Sequence, residues 1–331
     1  MSDEAREIIT VTDLSKHFGD HTAVGGVSFT IEQGEVFGLL GPNGAGKTTC
    51  ISMISCLIAP SGGEIVVDGH RATREPEKVK RLLGVVPQEI ALYPTLTALE
   101  NLRFWGRMYG LSGDLLEERV VEALRLAGLE DRAKERVETY SGGMKRRINI
   151  AAGVLHHPKV LIMDEPTVGI DPQSRNHILE TVKQLNAGGT TVLYTSHYME
   201  EVEFLCDRVA IMDHGEVIAL GTIAELKRLV GEESVITVRL NELPGGVLEQ
   251  LRALPGVEGA TAAKPPEDAI GGSTAVDEQR VVEVLSRDTG AVIVDVVTVL
   301  GRSGAKVIAV EVHEPDLESV FLHLTGKSLR D

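Results

Sequence analysis

The sequence predicts an α/β fold built on a mostly parallel core sheet, with a small α+β domain at its C-terminal end. Short apolar runs alternate with helical patterns as far as about residue 221, the arrangement that sets strands side by side in parallel. One of these runs passes through a glycine-rich loop straight into a helix. Near Gly221 the composition shifts, and shorter elements follow over about one hundred residues.

Taken in order, Gly34-Glu35 separates the apolar segments 27–31 and 36–40; the second reads as a buried strand entering a loop. From Lys47 the pattern turns helical, with Ile51, Ile54 and Ile58 at helical spacing. Ser61-Gly62-Gly63 then breaks it, and 65–67 returns to strand. Between Tyr93 and Tyr140 the reading is almost wholly helical. Leu116, Val120, Ala123, Leu124 and Ala127 make one apolar stripe, with Glu117, Glu118, Glu122 and Arg125 elsewhere on the cylinder. Residues 160–163 read as a buried strand. Asp171-Pro172 opens a helix in the favoured order, cap then proline, with Ile178, Val182 and Leu185 on its buried face and Gly188-Gly189 stopping it. Strands at 191–194 and 209–212 complete the alternation. In the C-terminal domain 235–240 reads as strand, 247–254 as helix, and 291–297 and 306–312 as strands. Lys264-Pro265-Pro266 and Gly271-Gly272-Ser273 read as exposed turns.

Composition narrows the function classes. With 43% hydrophobic and 25% charged residues in 331, a sizeable core can be buried. A net charge of −16 argues against general affinity for nucleic acid or anionic lipid, but leaves a phosphate ligand open, since phosphates need only local N–H groups and one or two cations. Three cysteines, Cys50, Cys56 and Cys206, are too few for a disulfide framework and fit a reducing cytosol. The acidic, polar start of the chain is unlike a targeting peptide, and no apolar run approaches the ~20 residues of a membrane span, so membrane work would pass through a partner.

The sharpest chemical signal is Gly41-Pro42-Asn43-Gly44-Ala45-Gly46-Lys47-Thr48, a P-loop pattern with a strand before it and a helix after it. Glycines let backbone N–H groups turn inward around phosphates, and the next helix adds its positive dipole end. Lys47 is placed to reach β- and γ-phosphates, Thr48 to bind Mg²⁺, and Thr49 to touch an α-phosphate. Asp164-Glu165 closes the strand at 160–163. Asp164 there suits a magnesium shell, and Glu165 suits a general base, or a water-orienting group, for attack on the γ-phosphorus. Alone, two acids after an apolar run are more often a solvated loop. His197, after Thr195-Ser196, reads either as a cap or as a donor to the γ-phosphate, and Gln88 either as a loop amide or as a site residue.

Together, Gly41–Thr49, Gln88, Ser141-Gly142-Gly143, Asp164-Glu165, Asp171 and His197 resemble the ordered motif set of ABC-transporter ATPases, over about residues 8 to 225. Ser141-Gly142-Gly143-Met144-Lys145 is the decisive member. The resemblance implies a P-loop NTPase domain over 1–225 with an N-terminal antiparallel β subdomain and a helical subdomain at about 93–145, and an accessory α+β domain over 226–331. It implies ATP and Mg²⁺ as ligands, Mg²⁺ being held by Thr48, Gln88 and Asp164, with Glu165, His197 and Lys47 catalytic. It also implies a head-to-tail homodimer, in which Ser141, Gly142 and Gly143 bind the γ-phosphate of ATP on the opposite subunit. Asp171 would link the two sites, Gln88 would reach toward the permease contact, and Phe18 would stack on adenine.

Two positions depart from the commonest signature: Tyr140 stands where leucine is usual and Met144 where glutamine is; Phe18 likewise replaces a tyrosine. The stretch Ser141–Arg147, with Leu317-Glu318-Ser319-Val320-Phe321-Leu322-His323-Leu324-Thr325-Gly326, resembles daunorubicin-resistance-type antibiotic-export ATPases, whose permease is a separate chain. The terminal stretch also reads as an amphipathic helix burying Leu317, Val320, Phe321 and Leu324. The implied protein is a cytoplasmic subunit, peripheral on the inner face of the membrane, energising export of a small hydrophobic compound. The rival is a soluble ABC ATPase working on ribosomes or nucleic acid, disfavoured by the acidity and by the single ATPase domain.

Overall fold

The computed structural model describes residues 6–230, 234–263, 280–313 and 315–326. Contacts group the chain into two compact units, Met1–Leu226 together with Phe321–Asp331, and Lys227–Val320.

In the first unit β1 (Glu7–Phe18) and β2 (His21–Glu32) form an antiparallel hairpin. β3 (Val36–Leu40) then runs through the glycine loop into α1 (Lys47–Ile54). β4 (Gly62–Val67) and β5 (His70–Arg71) return to the hairpin, giving an antiparallel sheet in the order β2-β1-β4-β5. After α2 (Pro76–Leu82) and β6 (Leu83–Val86) come α3 (Ala98–Met108), α4 (Gly113–Ala127) and α5 (Gly142–Val154). α3 begins in a capping box, Thr97 with Glu100, and α4 buries the five-residue stripe read from its sequence.

β7 (Val160–Asp164), α6 (Pro172–Ala187), β8 (Thr191–Ser196), α7 (Met199–Leu205), β9 (Arg208–Asp213), β10 (Glu216–Thr222) and the short α8 (Ile223–Lys227) complete the strand–helix alternation. The main sheet has the order β10-β9-β3-β8-β7-β6, with every pair parallel except β9 with β10. Its central strands are apolar on both faces because both are covered. Leu39, Ile162 and Leu193 are fully buried there, each contributing about 2 kcal/mol by leaving water. The consequence for function is that β3, β7 and β8, adjacent and parallel, all end at one edge.

The second unit is a β-α-β-β-α-β unit of ferredoxin-like order. β11 (Ser234–Leu240), α9 (Val247–Arg252), β12 (Val257–Ala263), β13 (Arg280–Ser286), α10 (Thr289–Arg302) and β14 (Val307–His313) give an antiparallel sheet in the order β12-β13-β11-β14. α11 (Leu317–Thr325) is the last helix among the described residues.

Three sequence expectations are corrected. Residues 291–297 are the middle of helix α10 and not a strand. Val292, Val296 and Leu300 recur every four residues on its buried side, Asp288 Oδ1 caps it by accepting from the Ala291 N–H, and Asp295 lies on the exposed side. α1 stops at Ile54, short of Ile58. Cys56 takes a left-handed φ of 57°, and Leu57 N–H and Cys56 N–H bond back to Ser52 O and Met53 O, which is a Schellman ending. In α11, Leu317, Val320 and Phe321 are buried while Leu324 is exposed. The turns read at 264–266 and 271–273 lie outside the described residues.

Candidate functional site

The loop between β3 and α1 is shaped by what its glycines leave out. A Cβ on Gly41 would collide with the Met212 carbonyl, and one on Gly46, at φ 100°, would lie 2.6 Å from the Ala23 carbonyl. The loop therefore folds against β9 and β2, with the Ala45 N–H donating to Pro42 O (3.2 Å) inside it. Gly46 caps α1 without any side-chain bond, leaving the first helical N–H groups available to an anion.

Lys47 is only 4% exposed. Its Nζ donates to Gly41 O (2.6 Å) and Pro42 O (3.0 Å) and lies 3.4 Å from Glu165 Oε1. Burial pulls its pKa below the ordinary lysine value, while Glu165 and Asp164 oppose that shift. A buried ammonium resting on two carbonyls is poised to exchange them for phosphate oxygens.

The acidic pair sits at the end of β7. Asp164 Oδ1 accepts from Thr195 Oγ1 (2.7 Å), and the same hydroxyl accepts the Glu165 N–H (2.9 Å). Thr195 was read only as a residue preceding His197; its role as the anchor of both acids depends on β7 and β8 pairing in register, Asp164 beside Thr195. Glu165 has a left-handed φ of 44°, strained for a non-glycine residue, which turns its side chain off the strand line. His197 Nδ1 is 3.3 Å from Glu165 Oε2, so the histidine and the lysine approach the same carboxylate through different oxygens.

A cavity of about 300 Å³ opens over these groups, lined by Phe18, His21, Ala23, Pro42, Asn43, Gly44, Gly46, Lys47, Thr48, Thr49, Gln88 and Glu165. Ten of the residues expected from sequence are thus brought together. Gly41, Ala45, Asp164 and His197 stand behind or beside the lining, and His21 and Ala23 are additions. Their signal was position alone: they follow Phe18 on the β1–β2 hairpin. Phe18 is half exposed, with the Lys16 ammonium 5.1 Å from its ring centre. Among the described residues no three acidic, imidazole or thiol groups converge on a metal by themselves. Thr48 on the lining and Asp164 beside it are the hydroxyl and carboxylate that would add to a magnesium ion carried in on phosphates.

Ser141, Gly142, Gly143 and Asp171 do not line this cavity. Ser141 is the exposed N-cap of α5, its Oγ accepting from the Met144 N–H at 3.2 Å, and Gly142 beside it is exposed. Gly143 is buried, and a Cβ there would overlap Ser174 Oγ on α6. Asp171 is exposed and caps α6, accepting from the Ser174 N–H at 3.0 Å, a bond that holds its carboxyl below the usual range. The signature departures are explained by packing. Tyr140 is buried with its hydroxyl donating to Arg132 O (2.6 Å), and Met144 is buried with its sulfur 3.6 Å from an Arg132 nitrogen, so both side chains face the helical core.

Behind the site, Glu201 on α7 is 2% exposed. Its Oε2 accepts from Thr167 (2.7 Å), Tyr194 (2.8 Å) and Ser196 (3.1 Å) hydroxyls, and Oε1 lies 3.3 Å from Arg175 Nε. This one carboxylate ties the segment after Glu165 to the segment before His197, which no local sequence pattern revealed. Glu201→Ala is expected to lower stability by about 3 kcal/mol, because three hydroxyls and a cation lose their acceptor. Urea denaturation measures it, and a loss below ~0.5 kcal/mol, the range of an ordinary surface change, would show the network to be dispensable.

Known proteins resemble this chain over most of its length. The family model described as ABC transporter matches residues 24–168. The linearmycin resistance ATP-binding protein LnrL of Bacillus subtilis is 50% identical over 98% of this chain and 100% of its own length. The daunorubicin/doxorubicin resistance ATP-binding protein DrrA of Streptomyces peucetius is 36% identical over 100% of this chain and 96% of its own. Among solved structures, the dimeric post-hydrolysis state of the ATP-binding cassette MJ0796, bound to ADP and Pi, is similar with a TM-score of 0.60 and 29% identity, covering 65% of this chain and 98% of that one.

Proposed function

This chain belongs to the ABC transporter family of ATP-binding, ATP-hydrolysing subunits, in its drug-resistance branch, and from that premise we propose how its residues drive the export of a small hydrophobic compound through a separate permease. The observation that carries the reading is the meeting of Lys47, Glu165, Gln88, Thr48 and Phe18 on one cavity, while Ser141 stands exposed outside it at a helix N-terminus. A pocket so divided is completed by a second copy.

In this reading Phe18 stacks on adenine, the N–H groups from Gly41 to Thr49 surround the phosphates, and Lys47 moves from its two carbonyls onto the β- and γ-oxygens. Thr48, Gln88 and Asp164 would hold Mg²⁺, which would offset the charge of the phosphate oxygens. Glu165 takes the proton of the attacking water, and His197 donates to the γ-phosphate. Ser141, Gly142 and Gly143 of the other copy close over the same phosphate, and Asp171 links the two sites. ATP drives closure because it contacts both copies only in the closed state. No helix among the described residues is long and apolar enough to cross a membrane, so the transport path belongs to the permease, against whose cytoplasmic face the chain works.

Membranes carrying a tagged copy test this. The expected result is co-purification of an integral membrane protein, and accumulation of daunorubicin or linearmycin, the compounds named for its relatives, in inverted vesicles on adding ATP. ATPase activity stimulated by ribosomes or RNA, with no membrane protein retained, would replace the exporter reading with a soluble one.

A further inference from the structure

Gln88 lies in a loop joining β6 to the helical region, and that loop is held by α5. Arg146 is 3% exposed. Its Nη1 donates to Pro87 O at 2.7 Å and its Nη2 to Gln88 O. One turn along the same face, Asn149 Oδ1 accepts the Ala91 N–H at 3.1 Å. α5 therefore presents exposed Ser141 at its start and grips the backbone of Gln88 five residues later.

The chemistry of the grip is specific. A planar guanidinium forked over two successive carbonyls fixes both the distance and the angle between helix and loop, which a lysine or an amide does not. No carboxylate is among the hydrogen-bond partners of Arg146 in the described residues, so its charge is compensated by carbonyl dipoles. Burial lowers its pKa from the ordinary arginine value, and the Asp164 carboxylate opposes that shift through space. Burying a cation this way is costly where a neutral contact would serve to hold a loop in place, which points to a mechanical purpose.

We propose that Arg146 is a positioning residue that makes the Gln88 loop and the signature helix move as one body, so that Gln88, already on the lining of the phosphate cavity, shifts there in the same step in which Ser141 closes on the partner copy's nucleotide. This rests on the reading of Gln88 and Ser141 given above. It also supplies a built-in probe: Trp105, the single tryptophan, donates from Nε1 to Ala91 O (3.1 Å) in the same loop.

The test compares Gln88→Ala, Arg146→Met, Arg146→Lys and the double variant Gln88→Ala/Arg146→Met by steady-state ATPase kinetics. It also follows Trp105 emission on adding ATP to the Glu165→Gln background. Arg146→Met is expected to lower kcat about tenfold, matching Gln88→Ala, with KM for ATP within about twofold. The double variant should be no slower than Gln88→Ala alone, and the ATP-dependent change in Trp105 emission should vanish. Arg146→Lys, which keeps the buried charge without the fork, should retain the melting temperature and lose about threefold in kcat. Should Arg146→Met not fold, Arg146→Lys decides alone: wild-type kcat with an intact Trp105 response overturns the proposal. A multiplicative loss in the double variant also overturns it. If Gln88→Ala itself turns over normally, the assignment of Gln88 falls and the proposal falls with it. Slow Gln88→Ala beside normal Arg146 variants removes the proposal and leaves the assignment standing.

Discussion

Glu165→Gln is expected to lower ATP turnover by two to three orders of magnitude while producing a dimer that persists as long as ATP is present. The carboxylate faces the cavity between two cationic or protonatable groups, Lys47 at 3.4 Å from one oxygen and His197 at 3.3 Å from the other. Its backbone is turned into a left-handed conformation and pinned by Thr195, so the side chain's direction is set before any ligand arrives. Glutamine keeps the shape and the hydrogen-bonding reach but cannot accept a proton from water. A 10³-fold loss corresponds to about 4 kcal/mol of barrier, which is within reach of a general base acting together with charge placement. The substitution also removes a negative charge facing the γ-phosphate, so ATP binding should strengthen as turnover falls. Phosphate release and size-exclusion chromatography, with and without ATP, measure both. Turnover at the wild-type rate would rule out Glu165 as the base, and a slow variant that stays monomeric with ATP would rule out closure of a dimer over the nucleotide.

How much of this was legible in the sequence follows from how local each cause is. The glycine loop was readable because its requirements lie within eight consecutive residues. The collisions that a Cβ would make at Gly41 and Gly46 are with the distant Met212 and Ala23 carbonyls, but the glycines they demand stand inside that short pattern. The stripe on α4 was readable for the same reason, since its buried residues repeat with the helix's own period. By contrast, Thr195 holds Asp164 across 31 residues and Arg146 holds Gln88 across 58, and such bonds exist only once the sheet and the helical region have assembled. α10 was misread because a run of valine and isoleucine favours strand locally, while packing selects the period-four set Val292, Val296 and Leu300. Tyr140 looked like a departure in the site, yet its hydroxyl is spent on Arg132 O in the helical core, an orientation the sequence could not disclose.

Lys47→Ala carries the opposite expectation for assembly. In the free protein its Nζ balances Glu165 at 3.4 Å and holds the two carbonyls at the start of the loop. Removing it leaves a buried carboxylate facing the cavity with only His197 beside it, so the site becomes repulsive to triphosphate just where attraction is needed. ATP affinity should fall by about 10²-fold or more, roughly 3 kcal/mol, the scale of a charged hydrogen bond lost in a partly desolvated site, and no ATP-dependent dimer should form. Calorimetric titration reads the affinity, and unchanged ATPase kinetics would remove the phosphate site from this loop. The pH dependence gives an independent check on the same group. Burial lowers the Lys47 pKa from the ordinary value of 10.5, so in the nucleotide-free protein its charge is lost at lower pH than that of an exposed lysine. Bound phosphate favours the charged form. ATP affinity should therefore weaken as pH rises toward the ordinary lysine range, and that portion of the dependence should disappear in Lys47→Ala while surviving in Glu165→Gln. Because the two variants then differ in the sign of their effect on nucleotide affinity, one tests the group proposed to attract the phosphates and the other the group proposed to take the proton of the attacking water.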